Sequence, residues 1–185
     1  MNKIESQVIG ELVPHEEVEE WWQSKPIAIP FFAGQALAIT FMNFELEDDP
    51  SYLWEVDQAL RHFLAKGDSD RLELSGLVYK NCMDFLNAIG FDEMDKPLWD
   101  MKKEEEVWKF VYPQEIEITR RNRRDKDIYL TVACECSWEQ EHGLQLVFRQ
   151  GKQLTRVSAQ DGWTTEADAF GKPDSEDELL SRFEV

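Results

Sequence analysis

Residues 131–148, "TVACECSWEQEHGLQLVF", combine residue types that bind metals and carry out catalysis in many proteins. Cys134 and Cys136 lie one residue apart, and His142 follows six positions after the second cysteine. Thiolates and an imidazole are zinc ligands, so these three residues are candidate metal ligands. However, C-x-C-x₅-H is not a standard zinc pattern, and Cys82 is the one other cysteine of the chain. A zinc site would therefore need a fourth ligand that the spacing does not supply.

The carboxylates of the same stretch offer a second kind of chemistry. Glu135, Glu139 and Glu141 surround His142 in the sequence, and such groups act as general acids and bases when they converge. One hypothesis is therefore a metal-dependent or carboxylate-based hydrolase that uses these four residues, with or without the two cysteines. A reactive thiol needs electropositive surroundings, so the neighbouring glutamates disfavour a cysteine nucleophile. A solvated acidic loop without catalytic function is the alternative interpretation.

A hairpin of two strands is predicted to position these residues. Alternate residues of a strand face the same way, so Cys134 and Cys136 share a face with the apolar residues Ile128, Leu130 and Val132. Both cysteines are therefore predicted to pack in the core as small hydrophobic side chains. The loop would bring His142 back towards Cys136, where it would lie at the edge of the core. A structural hairpin thus remains open beside the metal and catalytic hypotheses.

The charge of the chain limits its partners. It has 38 acidic and 20 basic residues among 185, which gives a net charge of −18 at neutral pH. Such a charge disfavours nucleic acids and anionic membranes and favours a basic protein partner. The candidate binding residues are Glu135, Glu139, Glu141, His142 and Trp163, and no cofactor is implied. The oligomeric state stays open.

Length, cysteine content and hydropathy predict the setting. A chain of 185 residues can bury one core, so a single domain over residues 1–185 is predicted. Three cysteines do not make a disulfide framework, which favours a reducing compartment. The most apolar run, residues 27–42, is interrupted by Pro30 and Gly34, and a membrane span needs roughly 20 apolar residues. The N-terminus also lacks a signal pattern, so a cytoplasmic location is predicted.

Hydrophobic periodicity predicts an α+β fold. Residues 19–32 and 35–44 alternate as two strands joined by a turn at Ala33 and Gly34. Two central helices follow over residues 50–66 and 69–89, the second with Leu74, Val78, Cys82, Phe85 and Ile89 on its buried face. Four strands within residues 106–162 then form an antiparallel meander. The helices are predicted to pack on this antiparallel sheet. Residues 172–185 are predicted to form an acidic tail, either a short helix or a flexible segment.

Residues 120–124, "RRNRR", are the most basic part of the chain. Together with Lys126 they could contact a phosphate or an acidic partner. The alternative, which the strong overall negative charge favours, is a solvated turn that protects a strand edge.

The C-terminal half also resembles a known family. The run "ACECSWEQEHGLQLVFRQGKQLTRVSAQDGW", residues 133–163, is similar to the C-terminal block of an uncharacterised bacterial family catalogued as a domain of unknown function. That family is marked by a CEC-x-W-E-x-E-H-G-L-Q run. "SKPIAIPFF" and "DRLELSGLVYKN" resemble its N-terminal part, so the resemblance covers about residues 20–170. Where the family would have D-G-H, this chain has Asp161-Gly162-Trp163.

This resemblance implies no established activity. Small acidic proteins of this kind are similar to bacterial immunity proteins, which neutralise toxins. The leading hypothesis is therefore an acidic, cytoplasmic, non-enzymatic protein-binding domain, with neutralisation of a basic toxin as one version.

Overall fold

The computed structural model describes residues 4–42 and 49–182, which form one nine-stranded sheet and several helices. The strands are β1 Ile4–Ser6, β2 Gly10–Pro14, β3 Trp22–Ser24, β4 Ile27–Ile29, β5 Gln35–Phe41, β6 Val111–Arg120, β7 Ile128–Cys136, β8 Leu144–Arg149 and β9 Gln153–Ser158. The α-helices are α1 Tyr52–Leu64, α2 Asp68–Glu73, α3 Ser75–Ile89, α4 Lys96–Trp99 and α5 Glu166–Ala169. Short 3₁₀ segments span Pro30–Phe32, Glu93–Asp95, Glu104–Phe110, Asp174–Glu176 and Leu180–Arg182. The predicted α+β fold is confirmed.

The sheet is mostly antiparallel and has one departure from the predicted pattern. Its strand order is β1-β2-β3-β5-β6-β7-β8-β9, and β4 pairs with β5 beside this path. β5 and β6 pair in parallel, with Ile39 opposite Ile116. Parallel neighbours need a long crossover, and here helices α1 to α3 supply it. The predicted hairpin and the predicted meander are therefore joined side by side in one sheet.

The N-terminal hairpin has its turn where the sequence predicts it. Ala33 and Gly34 both adopt positive φ, 54° and 82°, and β4 pairs antiparallel with β5. The predicted first strand is divided into β3 and β4 around Pro26, whose nitrogen cannot donate a hydrogen bond to a neighbouring strand. Residues 43 and 44, at the end of the predicted second strand, lie outside the described residues.

The helical region agrees with the predicted periodicity, apart from two differences. Helix α1 buries Val56, Leu60 and Phe63 as predicted. The second predicted helix is divided at Leu74 into α2 and α3. Ile89 was predicted on the buried face of this helix but is exposed, so that prediction is wrong. Ile89 is the last residue of α3, and it lies beyond Leu86, the last fully buried residue of the helix.

The sheet has two differently covered faces. The even-numbered residues of β7 face the helices and join the main hydrophobic core. On the reverse face, Tyr129, Val147 and Thr155 are buried beneath the C-terminal segment, residues 161–182. Thr155 Oγ1 lies 3.2 Å from the carbonyl oxygen of Thr164, to which it donates a hydrogen bond. The two faces are therefore closed by separate parts of the chain.

The described part of the predicted tail, residues 172–182, belongs to this C-terminal segment. The carboxylate of Asp177 is buried and accepts hydrogen bonds from the backbone N–H groups of Ala167 and Leu180. Residues 183–185 lie outside the described residues. A single domain over residues 1–185 stays a prediction. In the part of the chain that the structure describes, no helix has the length and apolar character to cross a bilayer.

The basic run at residues 120–124 is the centre of a buried ionic network. The side chain of Arg121 is only 4% exposed and contacts Asp125, Asp168 and Asp174 at 2.7 to 2.8 Å. We call these four residues the arginine clasp. Arg120 also pairs with acidic side chains of the chain itself. The solvated-turn interpretation was wrong for Arg120 and Arg121, because their acidic partners lie within this chain.

Candidate functional site

The two cysteines of the "CEC" run lie in the hydrophobic core. Cys134 and Cys136 are buried on the helix-facing side of β7, as the alternation of the strand predicts. Burial raises the pKa of Cys136 to about 11, and it also raises the pKa of Cys134. Both thiols are therefore protonated near neutral pH. A cysteine nucleophile is not supported by this placement.

The predicted metal ligands do not form a ligand set. His142 lies on the exposed loop between β7 and β8, and its Nδ1 atom is 3.7 Å from Oε1 of Glu139. Across residues 4–42 and 49–182, no group of three or more His, Cys, Asp and Glu side chains is arranged to hold a metal. The loop does bring His142 back towards Cys136, since both residues line the same surface cleft, whereas Cys134 is fully buried beneath it.

The carboxylates and the histidine do converge in space. Glu135, Glu139, Glu141 and His142 line one open cleft of about 560 Å³ at the end of the β7–β8 hairpin. We call it the hairpin cleft. The rest of its wall is formed by Tyr112, Cys136, Ser137, Gln140, Gly143 and Gln160. Trp163 was predicted with the four other binding residues, but it does not line this cleft.

The loop that forms the cleft is built around Glu139. Its Oε1 atom accepts hydrogen bonds from the backbone N–H groups of Glu141, at 3.1 Å, and His142, at 3.2 Å. Its carbonyl oxygen accepts a third from Gly143 N at 3.0 Å. Glu139 is thus mainly a structural residue of the loop. The more exposed carboxylates of Glu135 and Glu141 are left to face a ligand.

Gly143 allows the loop to close onto the strand. Its φ of 61° lies in the left-handed region, which most residues with side chains avoid. A Cβ atom at this position would lie 2.5 Å from the backbone oxygen of Cys134 and 2.7 Å from Nε2 of Gln160. Gln160 Nε2 itself donates a hydrogen bond to the Cys134 oxygen at 2.8 Å. The position therefore needs glycine for both its backbone conformation and its close packing.

The hairpin is fixed to its neighbours on both sides. The indole N–H of Trp138 donates a hydrogen bond to Oδ1 of Asn81 on α3, at 3.1 Å. On the other side, Tyr112 lies opposite Glu135 in the β6–β7 register, and its hydroxyl is 3.3 Å from Ser137 Oγ. The walls of the cleft are thus held by a helix and by two paired strands.

The electrostatics of the cleft favour a cation. Three of its lining residues are glutamates, and none of the described lining residues is Lys or Arg. Tyr112 adds an aromatic ring that is nearly half exposed, and such rings attract cationic groups. The arrangement is suited to holding a cationic group. The thiol of Cys136 lies at the cleft but the residue is only 4% exposed, and the carboxylate of Glu139 is already engaged by backbone donors.

Sequence reasoning found the glutamates and His142 because they lie within eight residues of one another. It missed Tyr112 and Gln160, which come from β6 and from the segment after β9. The signal that would have found Tyr112 is the β6–β7 register, which places it opposite Glu135.

The comparisons with known proteins give one match. A family described as a domain of unknown function, DUF6985, matches residues 8–164. No curated protein and no solved structure matches the chain. The matched range includes all residues that line the hairpin cleft and ends before Asp168 and Asp174 of the arginine clasp. Because the match spans most of the 185 residues, the chain belongs to the DUF6985 family.

Proposed function

We propose that this protein is a non-enzymatic binding domain whose hairpin cleft takes a basic segment of a protein partner. The convergence of Glu135, Glu139, Glu141 and His142 in one cleft, without a lining Lys or Arg, carries this proposal. A lysine or arginine side chain would place its charge between the glutamates and beside the ring of Tyr112. Carboxylates and an aromatic ring are groups that attract a cation.

The charge of the whole chain supports the same class of partner. A net charge of −18 attracts a basic protein over distances of about a Debye length, roughly 8–10 Å in physiological salt. Such attraction raises the association rate and makes it dependent on salt. It also disfavours nucleic acids and anionic membranes as partners.

The biological setting forms part of the proposal. We include in it a bacterial family, a cytoplasmic location and the "CECSWEQEHGLQ" run as a family marker. An immunity-type protein that neutralises a basic toxin would fit this setting. In that version, the hairpin cleft would cover a cationic region of the toxin. Trp163, which is 51% exposed, is retained as a binding candidate outside the cleft.

A hydrolase is the second candidate, because the four residues named for it do meet in one cleft. Glu135 and Glu141 would then serve as the acid and base. A Glu135→Gln variant that still binds a substrate but no longer hydrolyses it would favour this candidate over a binding domain.

The test compares two double variants that each remove two negative charges. Glu135→Gln/Glu141→Gln changes the cleft, and Glu16→Gln/Glu19→Gln changes exposed residues elsewhere. Binding of a hexalysine peptide is measured by calorimetry in 50 and 150 mM salt. We expect the cleft variant to lose about tenfold in affinity, or about 1.4 kcal/mol, and the control less than about twofold.

Both variants should keep the stability of the wild type to within about 0.5 kcal/mol, since they change surface residues. Equal losses of affinity in the two variants would show diffuse attraction by the net charge. That result would contradict a specific role for the cleft.

A further inference from the structure

An exposed apolar turn follows helix α3. Ile89, Phe91 and Met94 are 58%, 63% and 86% exposed, respectively. We call residues 89–94 the apolar turn. The buried stripe of α3 continues through Val78, Cys82 and Leu86, but the helix ends at Gly90, whose φ is 88°. Ile89 is the last helical residue, and Phe91 and Met94 follow the turn at Gly90, so all three side chains lie beyond the part of α3 that packs on the core.

Three exposed large apolar side chains within six residues form a concentrated surface. Single exposed apolar residues are ordinary, whereas a group of them marks an interaction site in many soluble proteins. The ring of Phe91 lies 6.3 Å from the ring of Trp99, which extends the apolar surface onto α4. Methionine side chains adapt their shape to different partners and are frequent on binding surfaces.

Acidic residues alternate with the apolar ones in this turn. Asp92, Glu93 and Asp95 surround Met94, and the Asp92 carboxylate accepts a hydrogen bond from Met94 N at 2.8 Å. A second copy of this chain would bring like charges together at such a surface. The charge therefore favours a partner that carries basic side chains beside apolar ones.

The apolar turn lies further along α3 than the point at which this helix contacts the β7–β8 hairpin. Trp138 of the hairpin is hydrogen-bonded to Asn81 of α3, and the helix rises 1.5 Å per residue from there. Ile89 is eight residues further along the helix, which corresponds to about 12 Å.

We propose that the partner segment is an amphipathic basic helix whose apolar face docks on the apolar turn. Its apolar side chains would bury Ile89, Phe91 and Met94, and its basic side chains would face the three interleaved carboxylates. The inference that the same segment also reaches the hairpin cleft rests on the proposed function. A helix of three to four turns spans about 16–22 Å, which exceeds the roughly 12 Å along α3 between its contact with the hairpin and Ile89.

Two synthetic peptides of identical composition test this inference. One is a fourteen-residue Leu–Lys helix with leucine at positions i, i+3, i+4 and i+7, and the other is its scrambled form without an apolar face. Binding is measured by calorimetry in 150 mM salt. We expect the wild-type protein to bind the amphipathic peptide about tenfold more tightly than the scrambled one.

The Phe91→Ser/Met94→Ser variant should reduce this preference below about twofold. A matched control, Val13→Ser/Phe170→Ser, removes two other exposed apolar side chains and should retain it. Equal binding of both peptides to the wild type would overturn the inference. So would a wild-type dimer in solution that the Phe91→Ser/Met94→Ser change dissociates, because the occupant would then be a second copy.

The Glu135→Gln/Glu141→Gln variant separates this inference from the proposed function. If this variant binds both peptides more weakly and the wild type shows no preference between them, the cleft binds cations and the apolar turn is not a docking site. If it binds both peptides as tightly as the wild type, but the apolar-turn variant loses the preference, the inference about the apolar turn is supported and the proposed role of the cleft fails.

Discussion

The arginine clasp and the hairpin cleft are both concentrations of carboxylates, but their surroundings differ. In the clasp, Asp125, Asp168 and Asp174 surround the buried guanidinium of Arg121. In the hairpin cleft, the glutamates face an open space that none of the described Lys or Arg residues lines. The clasp carboxylates are also paired with Arg124 and Arg149 of the same chain, whereas no described Lys or Arg lines the cleft. The same chemical group, a carboxylate, thus serves structure in one region and is exposed to solvent in the other.

Two carboxyl groups of the arginine clasp have lowered pKa values. Burial alone would raise the pKa of Asp168, but hydrogen bonds and attraction from Arg121 outweigh it and hold this pKa below its ordinary value. The pKa of Asp125 is lowered against its burial by hydrogen bonds from the Asp127 backbone, Tyr129 and Arg121. These carboxylates are therefore ionised in the folded protein at neutral pH, as a structural ion network requires.

The strongest way to break the clasp is Arg121→Met. This change keeps the pairs with Arg124 and Arg149 but removes the cation that contacts all three aspartates, of which Asp125 and Asp168 are largely buried. We expect it to lower the free energy of unfolding by about 3–5 kcal/mol, measured by urea denaturation.

Arg123→Met is the matched control for this change. Arg123 lies in the same basic run but is exposed, so its replacement should change the stability by less than about 0.5 kcal/mol. Similar small losses in the two variants would show that the clasp contributes little to stability.

A smaller effect is expected from Gly143→Ala in the loop of the hairpin cleft. The new Cβ atom would meet the Cys134 oxygen at 2.5 Å in a left-handed backbone conformation, so we expect a loss of about 2–4 kcal/mol. Gly162→Ala isolates the conformational part, because Gly162 has a φ of 77° but no atom within 4 Å of its Cβ position. It should cost about 1–2 kcal/mol. The stabilities of both variants are measured by thermal unfolding. Equal losses of stability would rule out a contribution from the close contact with the Cys134 oxygen.

The smallest effect is the acid dependence of stability. A carboxyl group with a lowered pKa in the folded state stabilises the fold above its ordinary pKa, near 3.9 for Asp. This stabilisation is lost as the pH falls from about 4 through the lower, folded value. The Asp168→Asn variant should therefore lose less stability than the wild type between about pH 5 and pH 2, measured by urea denaturation at each pH.

The contribution of Glu117 to stability should change with pH in the opposite direction, so this residue serves as a comparison. Burial, and then the neighbouring Glu115, raise the pKa of Glu117, so its contribution to stability decreases as the pH rises above its ordinary value of about 4.3. In Glu117→Gln this decrease should disappear. If Asp168→Asn lost as much stability as the wild type between about pH 5 and pH 2, that result would contradict the role of the clasp in acid unfolding.

Local sequence patterns predicted the features that depend on nearby residues. Alternation along β7 was enough to place Cys134 and Cys136 in the core, because the side chains of a strand point to alternate faces. The short β7–β8 loop was enough to bring His142 close to Glu135 and Glu139. The strands of the meander and the turn at Ala33 and Gly34 were predicted for the same reason.

Features that depend on distant residues were not predicted. Arg121 meets Asp168 and Asp174 across 47 and 53 residues of chain, and neither spacing carries a periodic signal. For this reason the basic run was interpreted as a solvated turn. Ile89 shows the reverse case: its spacing fits the buried stripe of α3, but periodicity does not tell where the core beneath a helix ends.

The parallel pairing of β5 with β6 has a consequence for the order of folding. Sixty-nine residues, 42–110, separate the two strands, so closing this pair costs more chain entropy than closing any hairpin of the meander. Strands β6 to β9 follow one another with short connections and can associate early. We therefore expect the C-terminal meander to form first and the N-terminal strands to join it late. During that interval the edge of β6 is open to wrong partners, which makes this step the one most exposed to aggregation.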